Sequence, residues 1–174
     1  MIAHFGTSAA GHDIDSVTLH AGDLSVTLLT WGCVVQDVRI AGVDYSLTRG
    51  SDHLADYEGD MRYSGALIGP VANRISTGRV EIDGMMYELE RNLKNRIHLH
   101  SGSRATHLRP WKLHESSADR AVFKLHLPDG DGGLPGDRHI RAVFTVIAPA
   151  ILTMEITGTT DQPTLMNFAN HSYW

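Results

Sequence analysis

The sequence has almost no cysteine. Cys33 is the only one among 174 residues, which excludes an internal disulfide framework and a Cys-rich zinc site. A chain of this length buries roughly 70% of its unfolded surface and needs no such staple to fold. An excess of positive charge is also lacking. Fifteen Lys and Arg stand against 20 Asp and Glu, a formal charge of −5, so nothing global attracts nucleic acid or an anionic membrane. Residues 1–10 carry neither the basic patch nor the continuous apolar core of a signal peptide. The longest apolar-leaning stretch, residues 142–156, is interrupted by Pro149 and falls short of the roughly 20 residues that span a bilayer. No repeat, low-complexity tract or charged linker divides the chain. These absences predict one cytoplasmic domain over residues 1–174, with neither a membrane nor a nucleic-acid partner.

Helical periodicity is scarce as well. Only residues 51–57 read as a helix, a short one capped by Ser51 or Asp52 and ended by Gly59. Period-two alternation takes its place. Val17 and Leu19, then Leu24, Val26 and Leu28, alternate with polar neighbours around a turn at Ala21-Gly22-Asp23. Residues 31–40 continue the pattern through Cys33, Val35, Val38 and Ile40, with Gly32 as a bulge or bend. Residues 80–82 and 85–89 flank Asp83-Gly84, a pair that readily takes the positive φ angles of a tight hairpin turn. Residues 111–115 with 121–127, and 140–147 with 151–158, predict two more hairpins. The fold class expected is all-β, with packed antiparallel sheets in a sandwich or barrel.

Three clusters hold more polar chemistry than half-buried strands require. In Gly69-Pro70-Val71-Ala72-Asn73-Arg74-Ile75, a guanidinium beside an amide makes a good pair for sugar hydroxyls; a surface-loop Arg capped by Asn is the plainer alternative. In Ile97-His98-Leu99-His100-Ser101-Gly102, strand alternation would put His98 and His100 on one face, a spacing used by zinc sites, although no third ligand accompanies them. A His at a strand end is alternatively a proton donor or acceptor near neutral pH, or an ordinary surface residue. The third cluster, residues 161–174, ends in Asn170-His171-Ser172-Tyr173-Trp174. It combines aromatic faces that stack on a pyranose with polar groups that take its hydroxyls, or else it is a packed aromatic strand end.

Taken in order, these segments resemble the aldose 1-epimerase (galactose mutarotase) family. The matching motifs are the segment at residues 69–75, the Leu99-His100-Ser101-Gly102 turn, the Gly133-Leu134-Pro135-Gly136 loop and the Asn170-His171-Ser172-Tyr173-Trp174 segment. Asp83-Gly84, Asn92 and Thr160-Asp161-Gln162-Pro163-Thr164 agree with the connecting features. The resemblance implies a large antiparallel β-sandwich, the galactose mutarotase-like supersandwich, that interconverts the α and β anomers of a hexose such as galactose or glucose. It implies His171 as general acid, His100 as a second active-site His, Asn73 and Arg74 as sugar-binding residues, and neither a metal nor an organic cofactor. A non-catalytic carbohydrate-binding module and a hexose-6-phosphate epimerase are the alternative functions, the latter with Arg96, Arg104 and Arg109 as phosphate-binding candidates.

The sequence departs from the family pattern at two positions within these motifs. Pro70 stands where the family has Arg, which removes a charge and a backbone donor. Ser101 stands where the family has Gly, which resists a positive φ. The resemblance also implies that the family's catalytic Glu and a sugar-binding Asp come from sequence that would follow Trp174. The chain is therefore expected to be a truncated, amino-terminal half carrying an acid without its base, a loss worth about 10²- to 10⁴-fold in rate. Unpaired sheet edges and a half-covered core predict self-association.

Overall fold

Alternating apolar residues build two four-stranded antiparallel sheets. β1 (Ile2–Thr7), β2 (Asp13–Ala21), β3 (Leu24–Leu29) and β4 (Val35–Ile40) form the first in that order. A five-residue helix α1 (Leu54–Glu58) follows, then the short strands β5 (Leu67–Ile68) and β6 (Arg74–Ile75). β7 (Arg79–Ile82) and β8 (Met85–Glu88) make a hairpin, and β9 (His98–Leu99) pairs with β6. β10 (Lys112–Ser116), β11 (Arg120–Leu127), β12 (Arg138–Ile147) and β13 (Ile151–Thr160) form the second sheet, and β14 (Ala169–Asn170) returns to pair with β5. The computed structural model describes every residue, Met1–Trp174.

The two large sheets pack face to face. Val17, Leu19, Val26, Leu28, Val35 and Val38 of the first meet Ala121, Phe123, Leu127, Ile140, Ala142, Phe144 and Val146 of the second. Each fully buried aliphatic side chain contributes about 1.5–3 kcal/mol. Phe123 and Phe144 sit edge to face, with centroids 6.0 Å apart. The architecture is a sandwich, not a barrel. β13 is an edge strand whose free side pairs with nothing in the chain, and Ile147 and Ile151 at its turn are exposed. No helix is long and apolar enough to cross a membrane.

The three expected hairpins form, and Asp83 and Gly84 take φ values of 50° and 78° in the tight turn. Two expectations need correction, and one strand was not foreseen. Residues 31–34 are not strand: Gly32 and Cys33 turn the chain with φ of 60° and 52°, so the strand starts at Val35. His53, not Ser51 or Asp52, occupies the position before the first helical residue, and its side chain makes no capping hydrogen bond. Ser51 Oγ accepts the His53 N–H there, and its backbone binds the Tyr57 hydroxyl. β1 had no counterpart in the sequence pattern; its residues are mostly exposed and it exists by pairing with β2.

Candidate functional site

Two short strand pairs bring distant segments together. β14 lies along β5, and the chain beyond continues the pairing: the His171 N–H donates to Ala66 O at 2.9 Å, and the Gly65 N–H donates to His171 O at 3.1 Å. The Asn170 side chain fixes this junction, donating to Gly65 O and accepting the Ser172 N–H, both at 3.1 Å. Gly69, just past β5, must lack a side chain, because a Cβ there would overlap the Phe168 ring. β6 and β9 set the other half. The His100 N–H donates to Asn73 O at 2.9 Å, and the Asn73 N–H donates to His100 Nδ1 at 3.0 Å.

The result is a cluster of rings. Tyr63 has centroid separations of 5.2 Å to His100, 5.1 Å to His107 and 5.8 Å to His171, while His100 meets His171 edge-on at 5.4 Å. Tyr173 flanks His171 at 5.2 Å. Arg74 Nη1 donates to Asn73 Oδ1 at 2.9 Å, leaving the Asn73 amide hydrogens and the other guanidinium donors free. All four residues picked from the sequence, Asn73, Arg74, His100 and His171, therefore meet.

Burial, then the positive charges on His171 and Arg74, lower the pKa of His100. Its neutral ring accepts a hydrogen bond at Nδ1 from the Asn73 N–H, so it carries hydrogen on Nε2 and offers a donor. His98 does not share this face. It is buried and binds Glu90 O through Nδ1, while positive φ at His100 and Ser101 breaks the strand alternation. The His98/His100 metal pair is therefore absent.

Ser101 takes φ of 64° despite its Cβ. Its hydroxyl compensates, accepting the Val71 N–H at 2.7 Å and donating to Val71 O at 3.2 Å. Glu90 secures the next turn, accepting the Ser103 N–H and hydroxyl, each at 2.7 Å. Those two hydrogen bonds lower its pKa and hold it as a carboxylate. Arg138, fully buried, donates to the carbonyls of Pro128, Asp131, Leu134 and Gly136 and so shapes the Gly133-Leu134-Pro135-Gly136 loop.

The sequence reading missed Tyr63 and His107. Neither lies in a recognisable motif, and only the β5 pairing reveals them. His107 is 1% exposed with no partner on either nitrogen, and burial, reinforced by the neighbouring His100, Arg62 and His171, pushes its pKa down to about 3.

No hydrogen bond or ion pair joins a carboxylate to His100, His107 or His171. Three acids along a neighbouring groove are engaged elsewhere: Glu90 by Ser103, Glu88 by Arg79, and Asp131 by Arg104 and Arg109 at 2.7 and 2.8 Å. Arg104 and Arg109 are thus committed to Asp131, and Arg96 lines a groove with Arg79 and Arg91. A groove of about 550 Å³ lies against residues 128–133 and includes none of the rings of the cluster.

A family model described as aldose 1-epimerase matches residues 15–174. The chain belongs to the aldose 1-epimerase family. It is 29% identical over 169 residues to rat galactose mutarotase, covering 95% of this chain and 48% of that protein. It is 31% identical over 120 residues to the aldose 1-epimerase of Haemophilus influenzae, covering 68% of this chain and 34% of that protein. Among solved structures, galactose 1-epimerase from Lactobacillus acidophilus superposes with a TM-score of 0.87 at 21% identity, covering all of this chain and 52% of that one. The aldose epimerase homologue from C. elegans gives 0.83 at 29% identity, covering 91% of this chain and 50% of that one. The chain spans about half the length of the curated galactose mutarotases it matches. Members of the aldose 1-epimerase family thus share the sandwich that carries these rings.

Proposed function

We propose that this chain supplies the acid and sugar-holding half of an aldose 1-epimerase site, taking a hexose such as galactose or glucose. The convergence of His100, His171, Asn73 and Arg74 around Tyr63 carries the reading. Tyr63 and Tyr173 offer aromatic faces to the C–H side of a pyranose, and Asn73 and Arg74 offer donors to its hydroxyls.

Anomer exchange opens the ring. A base removes the proton of the C1 hydroxyl, its electrons form the C1 carbonyl, the bond from C1 to the ring oxygen breaks, and that oxygen takes a proton from His171. Rotation about C1–C2 and reversal of the same steps closes the ring on the other face. His100, neutral with hydrogen on Nε2, donates to the sugar oxygen beside it and supports the same step. No carboxylate is hydrogen-bonded to the ring cluster, and on this reading the base comes from outside it. Acceleration by this chain alone is accordingly expected to fall about 10²- to 10⁴-fold below that of a site with both groups.

Calorimetric titration with D-galactose and D-glucose, with polarimetry on the same samples, tests the reading. Saturable binding that is lost in Arg74→Ala supports it, and acceleration lost in His171→Ala assigns the acid. Absence of any binding overturns it. We place the protein in the cytoplasm, where its one free and buried thiol, Cys33, stays reduced. Self-association through the unpaired side of β13 accompanies the reading, measured as a concentration-dependent sedimentation coefficient.

A further inference from the structure

His126 and His139 are direct cross-strand partners on β11 and β12. They lie on the outer face of the second sheet, among exposed residues, while Leu125 and Ile140 pack inward. Asp137 precedes His139 by two residues and reaches the same face, whereas Arg138 between them turns its guanidinium into the protein. The two imidazoles stack, with centroids 4.6 Å apart and planes 12° from parallel. Both present Nε2 to one carboxylate: His126 Nε2 is 2.6 Å from Asp137 Oδ1, and His139 Nε2 is 3.1 Å from Oδ2. No Lys or Arg pairs with Asp137, and its N–H is anchored to Asp161 Oδ1 at 2.8 Å.

One ligand atom from each of the three residues lies within 4.8 Å of the others. A tetrahedral zinc ion with bonds near 2.0–2.2 Å separates its ligand atoms by about 3.4 Å, so small rotations of two exposed imidazoles and a half-buried carboxylate suffice. Two imidazoles and one carboxylate suit a borderline divalent ion. They do not suit Mg²⁺ or Ca²⁺, which take oxygen ligands.

We propose that His126, Asp137 and His139 form a surface site for a divalent transition-metal ion, zinc foremost, with the remaining coordination position open to solvent. The site shares no residue with the ring cluster. The ion would replace the two imidazole protons now facing Asp137 and clamp β11 to β12 where the 128–136 loop leaves the sheet. Lys124 and Arg141 form the next cross-strand pair on this face, and their charge moderates the affinity.

The test uses the full chain freed of metal by chelation. Titration with Zn²⁺ at pH 7.5, with calorimetric readout, is expected to give one site per chain. Mg²⁺ is expected to give none. Zinc should raise the unfolding temperature, and EDTA should reverse the rise, because the ion binds the folded sheet. Asp137→Asn and His139→Gln should each weaken zinc binding by at least tenfold, with the far-ultraviolet circular dichroism unchanged. Cu²⁺ bound in place of zinc should show hyperfine coupling to two imidazole nitrogens in its electron paramagnetic resonance spectrum, lost on His126→Ala. Zinc binding of equal strength in wild type and both variants would overturn the proposal by assigning the ion to other histidines. Absence of zinc binding, or equal binding of Mg²⁺, would overturn it as well.

Discussion

Replacing His107 by Leu should flatten the acid side of the stability profile. His107 is 1% exposed, neither nitrogen has a partner, and its pKa is about 3 because burial, and after it the neighbouring His100, Arg62 and His171, oppose a charge there. In the unfolded chain it returns to about 6.5. The folded value is the lower one, so between pH 6.5 and 3 the unfolded state binds the extra proton. The stability contributed by keeping this ring neutral is fully present above pH 6.5 and is lost as pH falls through that window. Each unit is worth about 1.4 kcal/mol, so lowering pH from 7 to 5 removes about 2 kcal/mol through this residue. Urea unfolding of wild type and His107→Leu, followed by circular dichroism at pH 7, 6 and 5, isolates the effect. Lowered values at Glu90, Asp131 and His100 act on both proteins alike, so the difference in slope belongs to His107. Leu shifts the whole curve through packing without changing its slope. Parallel profiles, or a His107 ring that titrates near 6 in the folded protein, would refute the reasoning.

Other substitutions test the scaffold around the rings. Ser101→Ala leaves the buried Val71 N–H without its hydroxyl partner and keeps the left-handed φ, so it should cost about 1–3 kcal/mol in urea unfolding; an unchanged midpoint would contradict the compensation argued for Ser101. Arg138→Met should lower stability by about 3 kcal/mol, because it strips donors from four loop carbonyls, and should raise amide exchange in residues 128–136; unchanged exchange would count against its role in shaping that loop. Gly69→Ala should lower the unfolding temperature and release the segment around Phe168 to proteolysis, since the new methyl overlaps that ring.

The sheets were legible in the sequence where alternation met a clear turn. Asp83-Gly84 between two alternating runs, and the long strands on either side of Pro149, announced their hairpins. Where tertiary contacts decide, the pattern misled. Trp31, Cys33 and Val34 have strand-forming side chains, yet Gly32 turns there because its missing Cβ lets the backbone pass His107 O. His98 and His100 obey period two in the sequence but not in space, since the strand ends at Leu99 and His100 itself takes a left-handed φ. His171, His100, Asn73 and Arg74 were readable from motif neighbours. Tyr63 was not, because an aromatic after a short helix gains meaning only when β14 pairs with β5. The His126–Asp137–His139 group was equally hidden, since ten residues of strand and loop separate its members and only the register unites them.

The most direct test of the central claim is proton NMR of the imidazole C–H signals during titration with D-galactose, with His100 and His171 assigned by His100→Gln and His171→Gln. The account predicts that both signals shift saturably with one common dissociation constant, that Arg74→Ala abolishes the shifts, and that the signals of His126 and His139 stay in place. Unmoved signals of His100 and His171 at saturating sugar, or shifts that survive Arg74→Ala unchanged, would contradict it.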